Sequence, residues 1–532
     1  MVINVKKIIK YLSIIITLLF MFTINCSAEN NNVYVNLEKL EYSLDKNNFS
    51  IIKKYKTLKE FLDDYNSNTL PDIYITEFLF DGVSAVKVPS LDDFKEDDSN
   101  TVEIKELKIK VININTIGNI EFTGEIKGAM IGVNTNNKTG NINIVLNNVK
   151  IDTDTKKAPA IYVYNKDKNY TDCKVTIKTL INTKNYIKGG KLKKVSLIPS
   201  DKLDKYASYY SNNSLANYNK YSSYYGIYSS SEIDKILFAK VLADSEDLSE
   251  GDPYYFYKGS GAISSDIDLY FDGEGYLQVI GNDEGIETKG NLMFSGGYGD
   301  YEIIAFDDCL NTTTVNSNYE SVRNDLVIDV HSLLAYVSAD ADEGDAIDSN
   351  GKLVINGGNI YAFAHPTSPD AGLDSVNGIY LNKGTIISTG NMQDTISSDS
   401  KQKFLYANFN EISADTLIII KNQDNEVIMA FKTERNIRNL LYSSSDLNYE
   451  TYSIFTGGTI DGEETNGLYT KINDYTNGNE IKYNNTNMGM KFHDYNNDYS
   501  SKLLKALIIE IILLFTFIII YVIRKDKSRG EI

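Results

Sequence analysis

Four short stretches of this chain say nearly the same thing: NDEGIETKG (282–290), FDDCLNTTT (306–314), EGDAIDSNG (343–351) and PDAGLDSVNG (369–378). Each carries a small residue, then Ile or Leu, then an acid or amide. The aliphatic residues are Ile286, Leu310, Ile347 and Leu373, spaced by 24, 37 and 26 residues, and a weaker copy places Ile263 another 23 upstream. A recurrence of this length marks a structural repeat and constrains the whole fold. Two short alternating segments follow each copy, often with glycine between them; Leu353-Val354-Ile355, Gly357-Gly358 and Ile360 to Ala364 form the clearest case.

Alternation at period two predicts strand, with Leu353, Ile355, Ile360, Ala362 and Ala364 on one face. Three short strands per 23–26 residues, with Gly and Asx at the corners, fit one coil of a parallel β-helix. Leucine-rich repeats need fixed leucines and an asparagine that are missing here, and a propeller blade runs to about 40 residues. The 37-residue gap then reads as one coil plus the polar insertion Thr312 to Asn324. Ile263, Ile286, Leu310, Ile347 and Leu373 should stack in one interior column.

With 532 residues there is ample chain for a large core. A formal charge of −19 argues against a nucleic-acid partner, since no basic face would neutralise phosphates. The 39 tyrosines and absence of Trp mean that tyrosine must supply most ring stacking. Cys173 and Cys309 give no disulfide framework, and Cys309 occupies the small position of its repeat, where a buried thiol is expected.

The ends predict location. Lys6, Lys7 and Lys10 precede an apolar run, Ile14 to Ile24, with small residues for cleavage after Ala28: a secretory signal peptide. Cys26 offers a lipoprotein alternative. Ala506 to Ile523 is an apolar run of 18 residues broken only by Glu510, about long enough to cross a bilayer. Arg524, Lys525, Lys527 and Arg529 follow it and place the C-terminus in the cytoplasm. The expected chain is an all-β surface protein anchored by a C-terminal transmembrane helix.

The segments run as follows: signal peptide 1–28, a polar N-terminal segment 29–100 with a helical stretch near Ile51 to Tyr65, and a parallel β-helix over 101–400. Within the last, 183–258 reads as a Tyr-rich insertion. A cap of antiparallel strands spans 401–460, a patternless stalk 461–502, the membrane helix 503–524 and a cytoplasmic tail 525–532. The cap is required because the last coil would otherwise expose a strand edge.

The run Gly261-Ala262-Ile263, Asp283-Glu284-Gly285-Ile286 and Gly344-Asp345-Ala346-Ile347-Asp348-Ser349-Asn350-Gly351, with Ala414-Asp415-Thr416-Leu417-Ile418 and Thr451 to Gly458 further on, resembles the bacterial carbohydrate-binding domain family. The likeness spans roughly 100–460 and is best from 259 to 390. It implies a right-handed, single-stranded parallel β-helix, similar in architecture to calcium-dependent polysaccharide lyases. It also implies binding of polysaccharide, cellulose or acidic glycans, with Ca²⁺ on the helix flank. The Tyr-rich insertion, the N-terminal segment and the membrane span depart from that pattern.

Aligned on the aliphatic residue, the position three before it reads Asp283, Asp307, Gly344 and Asp370, and the position after it Glu287, Asn311, Asp348 and Asp374. Stacked at one strand spacing, roughly 4.8 Å, carboxylates repel by about 1 kcal/mol even at water's dielectric. A calcium ion with oxygen ligands would reverse that sign. The candidate metal ligands are therefore Asp283, Asp307, Asp308, Asp345, Asp348, Asp370 and Asp374. Asx-turn formation is the alternative duty for such residues.

His331, His365 and His493 share no zinc spacing, and no nucleophile elbow is present. A lyase would need a base beside the calcium; Lys289, Lys352 and Lys383 lie near the corners but read as solvated lysines. Tyr209, Tyr210, Tyr224 and Tyr225 of the insertion are candidates for stacking on sugar rings. A glycan-binding module leads; a calcium-dependent lyase and a structural or adhesive surface protein are the alternatives.

Overall fold

The computed structural model describes residues 32–77, 109–136, 138–153, 158–165, 172–190, 261–313, 323–448 and 451–483. All of them belong to the first of two compact units, which ends at Thr486. The signal-peptide and membrane-helix expectations at 1–28 and 503–524, and the tyrosines Tyr209, Tyr210, Tyr224 and Tyr225, lie outside the described residues. Among the described residues no helix is long and apolar enough to cross a membrane.

The described residues are nearly all β, with one short helix among them. Six short strands, Ile161–Tyr164, Ile263–Ser265, Ile286–Thr288, Leu310–Thr312, Ile347–Ser349 and Leu373–Ser375, pair in parallel and in register. Ile263, Ile286, Leu310, Ile347 and Leu373 stand opposite one another down this ladder, and each has lost all its solvent exposure. Full burial of one such side chain contributes about 1.5–3 kcal/mol. The two alternating segments of each repeat form further parallel ladders. Leu269, Leu292, Leu326, Leu353 and Ile379 align in one, and Leu277, Tyr301, Leu333, Ile360 and Ile386 in the other. All turn inward, and Phe271 stacks on Phe294 with centroids 4.7 Å apart.

Three segment assignments change. Lys184–Gly189, placed by sequence in the insertion, is a strand parallel to Tyr276–Gly281. Its inward residues, Asn185 and Ile187, alternate with Tyr186 and Lys188, and the polar composition hides the alternation. The N-terminal segment joins the sheets: Asn32–Asn36 runs parallel to Gly118–Lys127, and Ile73–Thr76 pairs antiparallel with Lys110–Ile114. Its helix is Leu58–Asn66, shorter than expected because Lys53–Tyr55 is drawn into pairing with Ile73–Thr76. Thr57 caps the helix, its hydroxyl accepting the Glu60 N–H at 3.3 Å.

Residues 462–481, part of the expected stalk, are paired strand. Tyr452–Thr465 and Leu468–Ile481 form a long hairpin that closes a four-stranded barrel with Leu417–Asn422 and Val427–Lys432. At the end of the ladders, Ile437–Ser443 pairs antiparallel with both Thr385–Thr389 and Phe404–Ile412. That reversal covers the edge of the Thr385–Thr389 ladder, while the other two ladders end on the isolated bridges Ala371–Met392 and Ile379–Ile396. The barrel packs on the outer side of the ladders, where Tyr361, Phe363 and Ile387 share a core with Ile418, Ile420, Met429 and Phe431.

Candidate functional site

The six-strand ladder sets the site. Immediately after its aliphatic column the register runs Ser264, Glu287, Asn311, Asp348 and Asp374. Two positions before it stand Glu284, Asp308 and Asp345, held level by Gly285 N–H donating to Asp308 O at 2.9 Å and Cys309 N–H to Asp345 O at 3.1 Å. Three before it come Asp283, Asp307 and Asp370. Gly344 interrupts this last column: its φ is +143°, and a Cβ there would meet the Asp307 backbone at 2.6 Å. A side chain is excluded from that coil, so the acid moves to its neighbours.

Several of these acids accept hydrogen bonds from the backbone of a neighbouring repeat. Asp308 Oδ1 accepts the Asp345 N–H at 2.8 Å, Asp345 Oδ1 the Ala371 N–H at 2.6 Å, and Asp370 Oδ2 the Gly344 N–H at 2.7 Å. Asn311 Nδ2 donates to Asp308 Oδ2 at 3.1 Å, and Asn350 Nδ2 to Asp348 Oδ2 at 3.1 Å. Part of the turn-forming duty considered for these residues is thus realised.

The electrostatics join all seven candidates into one seam. Burial, then the charges of Asp283 and Glu343, lifts the Asp307 carboxyl to about 6. Burial raises Asp308 well above the usual range, with Asp348, Asp307 and Asp370 adding to it. Burial and then Asp308 and Asp374 do the same for Asp345. Asp348 is pushed up to about 7 by burial and Asp394, and Asp374 to about 9 by burial and its hydrogen bond with Asp394. No salt bridge among the described residues reaches Asp307, Asp308, Asp345, Asp348, Asp370 or Asp374.

Two oxygens in adjacent coils of one column, Asn311 Oδ1 and Asp348 Oδ1, are buried and accept no hydrogen bond. An orphaned buried acceptor is unfavourable by about 1–3 kcal/mol, and a hard cation would satisfy both. The seam therefore fits calcium in ligand chemistry. It does not present a preassembled cage: among the described residues no three His, Cys, Asp or Glu side chains are gathered tightly enough to hold a metal ion.

Glu284 and Asp394 belong to the seam and escape the sequence argument. Glu284 stands two positions before its aliphatic residue, level with the candidates Asp308 and Asp345, and its Oε1 accepts the Asn311 amide at 3.3 Å. Asp394 follows Asp374 by only 20 residues, on a partial further turn marked by the bridges Ala371–Met392 and Ile379–Ile396.

Lys289 differs from expectation. It is buried, and its Nζ lies 2.7 Å from Asp266 Oδ1, with both side chains almost wholly enclosed. Asp266 also accepts from the Tyr162 hydroxyl and the Asn165 N–H. A lysine so engaged is poorly placed to serve as a base. Lys352 lies over the Tyr380 ring, 5.6 Å from its centroid. His331 pairs with Asp300 at 2.6 Å, and His365 is buried against Ser368. Cys309 is fully buried, as its repeat position requires.

Comparisons of the chain with family models, with curated proteins and with solved structures give no significant match.

Proposed function

We propose that this chain is a cell-surface polysaccharide-binding protein, folded as a right-handed single-stranded parallel β-helix with an antiparallel cap, whose acidic seam holds calcium. The observation that carries the calcium reading is a seam of aspartates from successive repeats in which burial, and then neighbouring carboxylates, raise Asp307, Asp308, Asp345, Asp348 and Asp374. Raised carboxyl pKa values without compensating cations are what a cation site looks like before its ion is counted. Asn311 and Asp348 would supply oxygens from neighbouring coils. The ion would neutralise the seam and hold those coils together; the chain's own residues align the column.

The three in-register ladders support the helical architecture, and the repeat motifs with their family resemblance support the polysaccharide. The apolar run 506–523 and the basic residues after it support membrane anchoring with the repeats outside. Engagement of Lys289 by Asp266 favours a binding module over a lyase.

Retention of the full-length chain on a panel of immobilised polysaccharides, with and without EDTA, tests the reading. Retention lost on chelation is the expected result. A rise in ultraviolet absorbance from unsaturated uronate would replace the module with a lyase. Absence of both would leave an adhesive or structural role.

A further inference from the structure

Charge is divided along the chain. Residues 109–190 carry twelve Lys against six acids, a net +6, whereas residues 261–400 carry 23 acids against three Lys and one Arg, a net −19. The ladders bring the two stretches side by side. Lys184–Gly189 pairs in parallel with Tyr276–Gly281, and Tyr276–Gly281 with Asp300–Ala305, so three successive strands pass from basic to acidic.

Asn185 and Ile187, Leu277 and Val279, and Tyr301 and Ile303 turn inward, which leaves the alternate residues on the outer face. There the register runs Lys184, Tyr276, Asp300 and, beside it, Tyr186, Gln278, Glu302. Glu302 is braced, accepting the Tyr276 hydroxyl and, at 3.0 Å, the Gln278 Nε2. Tyr186 is exposed, with its ring 6.1 Å from that of Tyr276. The barrel core reaches this face only at Leu334 and Tyr336, one strand further on.

The turns leading into these strands repeat the division. Leu180 O accepts the Thr183 N–H at 3.1 Å, closing a turn with Ile181 at its tip and Asn182 at φ +60°. Ile181 is 61% exposed. Two strands later the turn between Leu292–Phe294 and Asp300–Ala305 presents Tyr298, 67% exposed. Between the two lies Gly273-Glu274-Gly275, packed so closely that a Cβ on Gly273 would meet Thr179 O at 2.2 Å and one on Gly275 Leu180 O at 2.3 Å. Ile181 and Tyr298 thus flank a turn that presents only Glu274. Single exposed apolar residues are ordinary; these two stand at equal spacing on either side of one strand, one beside a lysine and the other beside an acid.

A two-fold axis along the Tyr276–Gly281 strand exchanges the strand before it with the strand after it. We propose that this face joins two copies of the chain, antiparallel, about that axis. Ile181 of one copy then packs on Tyr298 of the second copy, Lys184 meets Asp300, and Tyr186 meets Glu302. Two-fold symmetry makes each contact twice. A slip of one strand either way sets Ile181 or Tyr298 against Glu274 instead, which fixes the register. Glu274 faces its own copy near the axis, a like-charge contact that weakens the pair. The pairing requires neither calcium nor a glycan, so it goes beyond the binding reading and stands apart from it.

The test uses the full-length chain in detergent with Ile181→Cys and Tyr298→Cys, singly and together. Within one molecule the two positions are two strand spacings apart, roughly 10 Å, beyond the reach of a disulfide. Under mild oxidation the double variant should give covalent dimers and nothing larger. Each single variant should give none, because like positions lie out of line in the pair. A face of three strands and their turns belongs with weak, transient interfaces, so sedimentation of the parent is followed to high protein concentration. It should show a monomer–dimer equilibrium that salt weakens. Lys184→Glu and Asp300→Lys should each raise Kd by about tenfold or more, and the two together should restore it. Glu274→Gln should lower Kd. Thermal melting checks that the variants fold like the parent. A monomeric parent without cross-linking, cross-linked ladders longer than dimers, cross-linking in a single variant, or a charge exchange without rescue would each overturn the pairing.

Discussion

Asp345 donates its backbone N–H to Asp308 Oδ1 at 2.8 Å, although 37 residues separate the two in sequence. Asp345 in turn accepts the Ala371 N–H at 2.6 Å, so the same motif position hands a bond from coil to coil. These carboxylates have a structural role that would persist without any ion. Among the described residues, Asp348 accepts no backbone N–H from a neighbouring strand; its Oδ2 takes the Asn350 side-chain amide of its own turn, at 3.1 Å. The seam thus contains two kinds of aspartate, and substitution should separate them.

Asp308→Ala leaves the Asp345 N–H without its acceptor and should destabilise the protein by about 1–3 kcal/mol with or without calcium. Asp348→Asn removes a charge from a repulsive column and should leave the calcium-free melting point unchanged or slightly raised. The parent should gain about 2.7 kcal/mol at a hundredfold calcium excess over Kd, and Asp348→Asn and Asp374→Asn should lose part of that gain. Magnesium should substitute poorly, because it demands compact octahedral coordination. A melting point indifferent to both calcium and EDTA would return the seam to turn formation alone.

The pH dependence has a definite sign. Asp307, Asp348 and Asp374 have folded-state pKa values raised to about 6, 7 and 9, whereas an unfolded aspartate titrates near 3.9. The folded chain therefore binds more protons than the unfolded one across this interval, and stability falls as pH rises. Without calcium, the melting temperature should be highest near pH 4 to 5 and decline toward pH 9. Saturating calcium should flatten or invert that decline, since the ion replaces the protons. A calcium-free profile rising from pH 5 to 8 would show that the seam does not govern stability.

The repeat and its interior column were legible because one constraint, a buried aliphatic residue in every repeat, recurs with little variation. Where a coil is polar on its outward side, as at Lys184–Gly189, alternation is masked although Asn185 and Ile187 still turn inward. The hairpin at 452–481 buries only Ile454 and Leu468 and has no apolar rhythm to read. Its clue is the Asn466-Gly467 pair, whose φ values of +50° and +82° match the tight turn that this dipeptide favours. Lys289 looked solvated because its partner Asp266 lies 23 residues upstream, a pairing visible only when successive coils are superposed.

The interior column should behave as a continuous core. Leu310→Ala, at a fully buried position flanked by Ile286 and Ile347, should destabilise by about 2–5 kcal/mol in urea titration. Ile51→Ala, at a site 80% exposed, provides the control and should change stability by less than about 0.5 kcal/mol. Equal effects at the two sites would contradict the stacked arrangement.

Arg435 fastens the cap to the ladders. Its guanidinium is buried and lies 3.7 Å over the Tyr336 ring, while Nη1 donates to Val337 O at 2.9 Å and Ala364 O at 2.7 Å. One side chain thus bridges two adjacent coils. Nε and Nη2 find no acceptor, so the arrangement sets a cation–π contact and two charge-assisted bonds against incomplete solvation of a buried charge. Arg435→Ala loses the bonds, the ring contact and the packing, and should destabilise by about 2–4 kcal/mol. Arg435→Met keeps most of the apolar volume and discards the charge, so the balance decides its effect. If the bridge outweighs the desolvation, Met should fall about 1–2 kcal/mol below the parent, with faster proteolysis between the last coil and the cap. A Met variant as stable as the parent would mean that the buried guanidinium contributes nothing net, and that the shared core of Phe363, Ile418 and Phe431 holds the cap unaided.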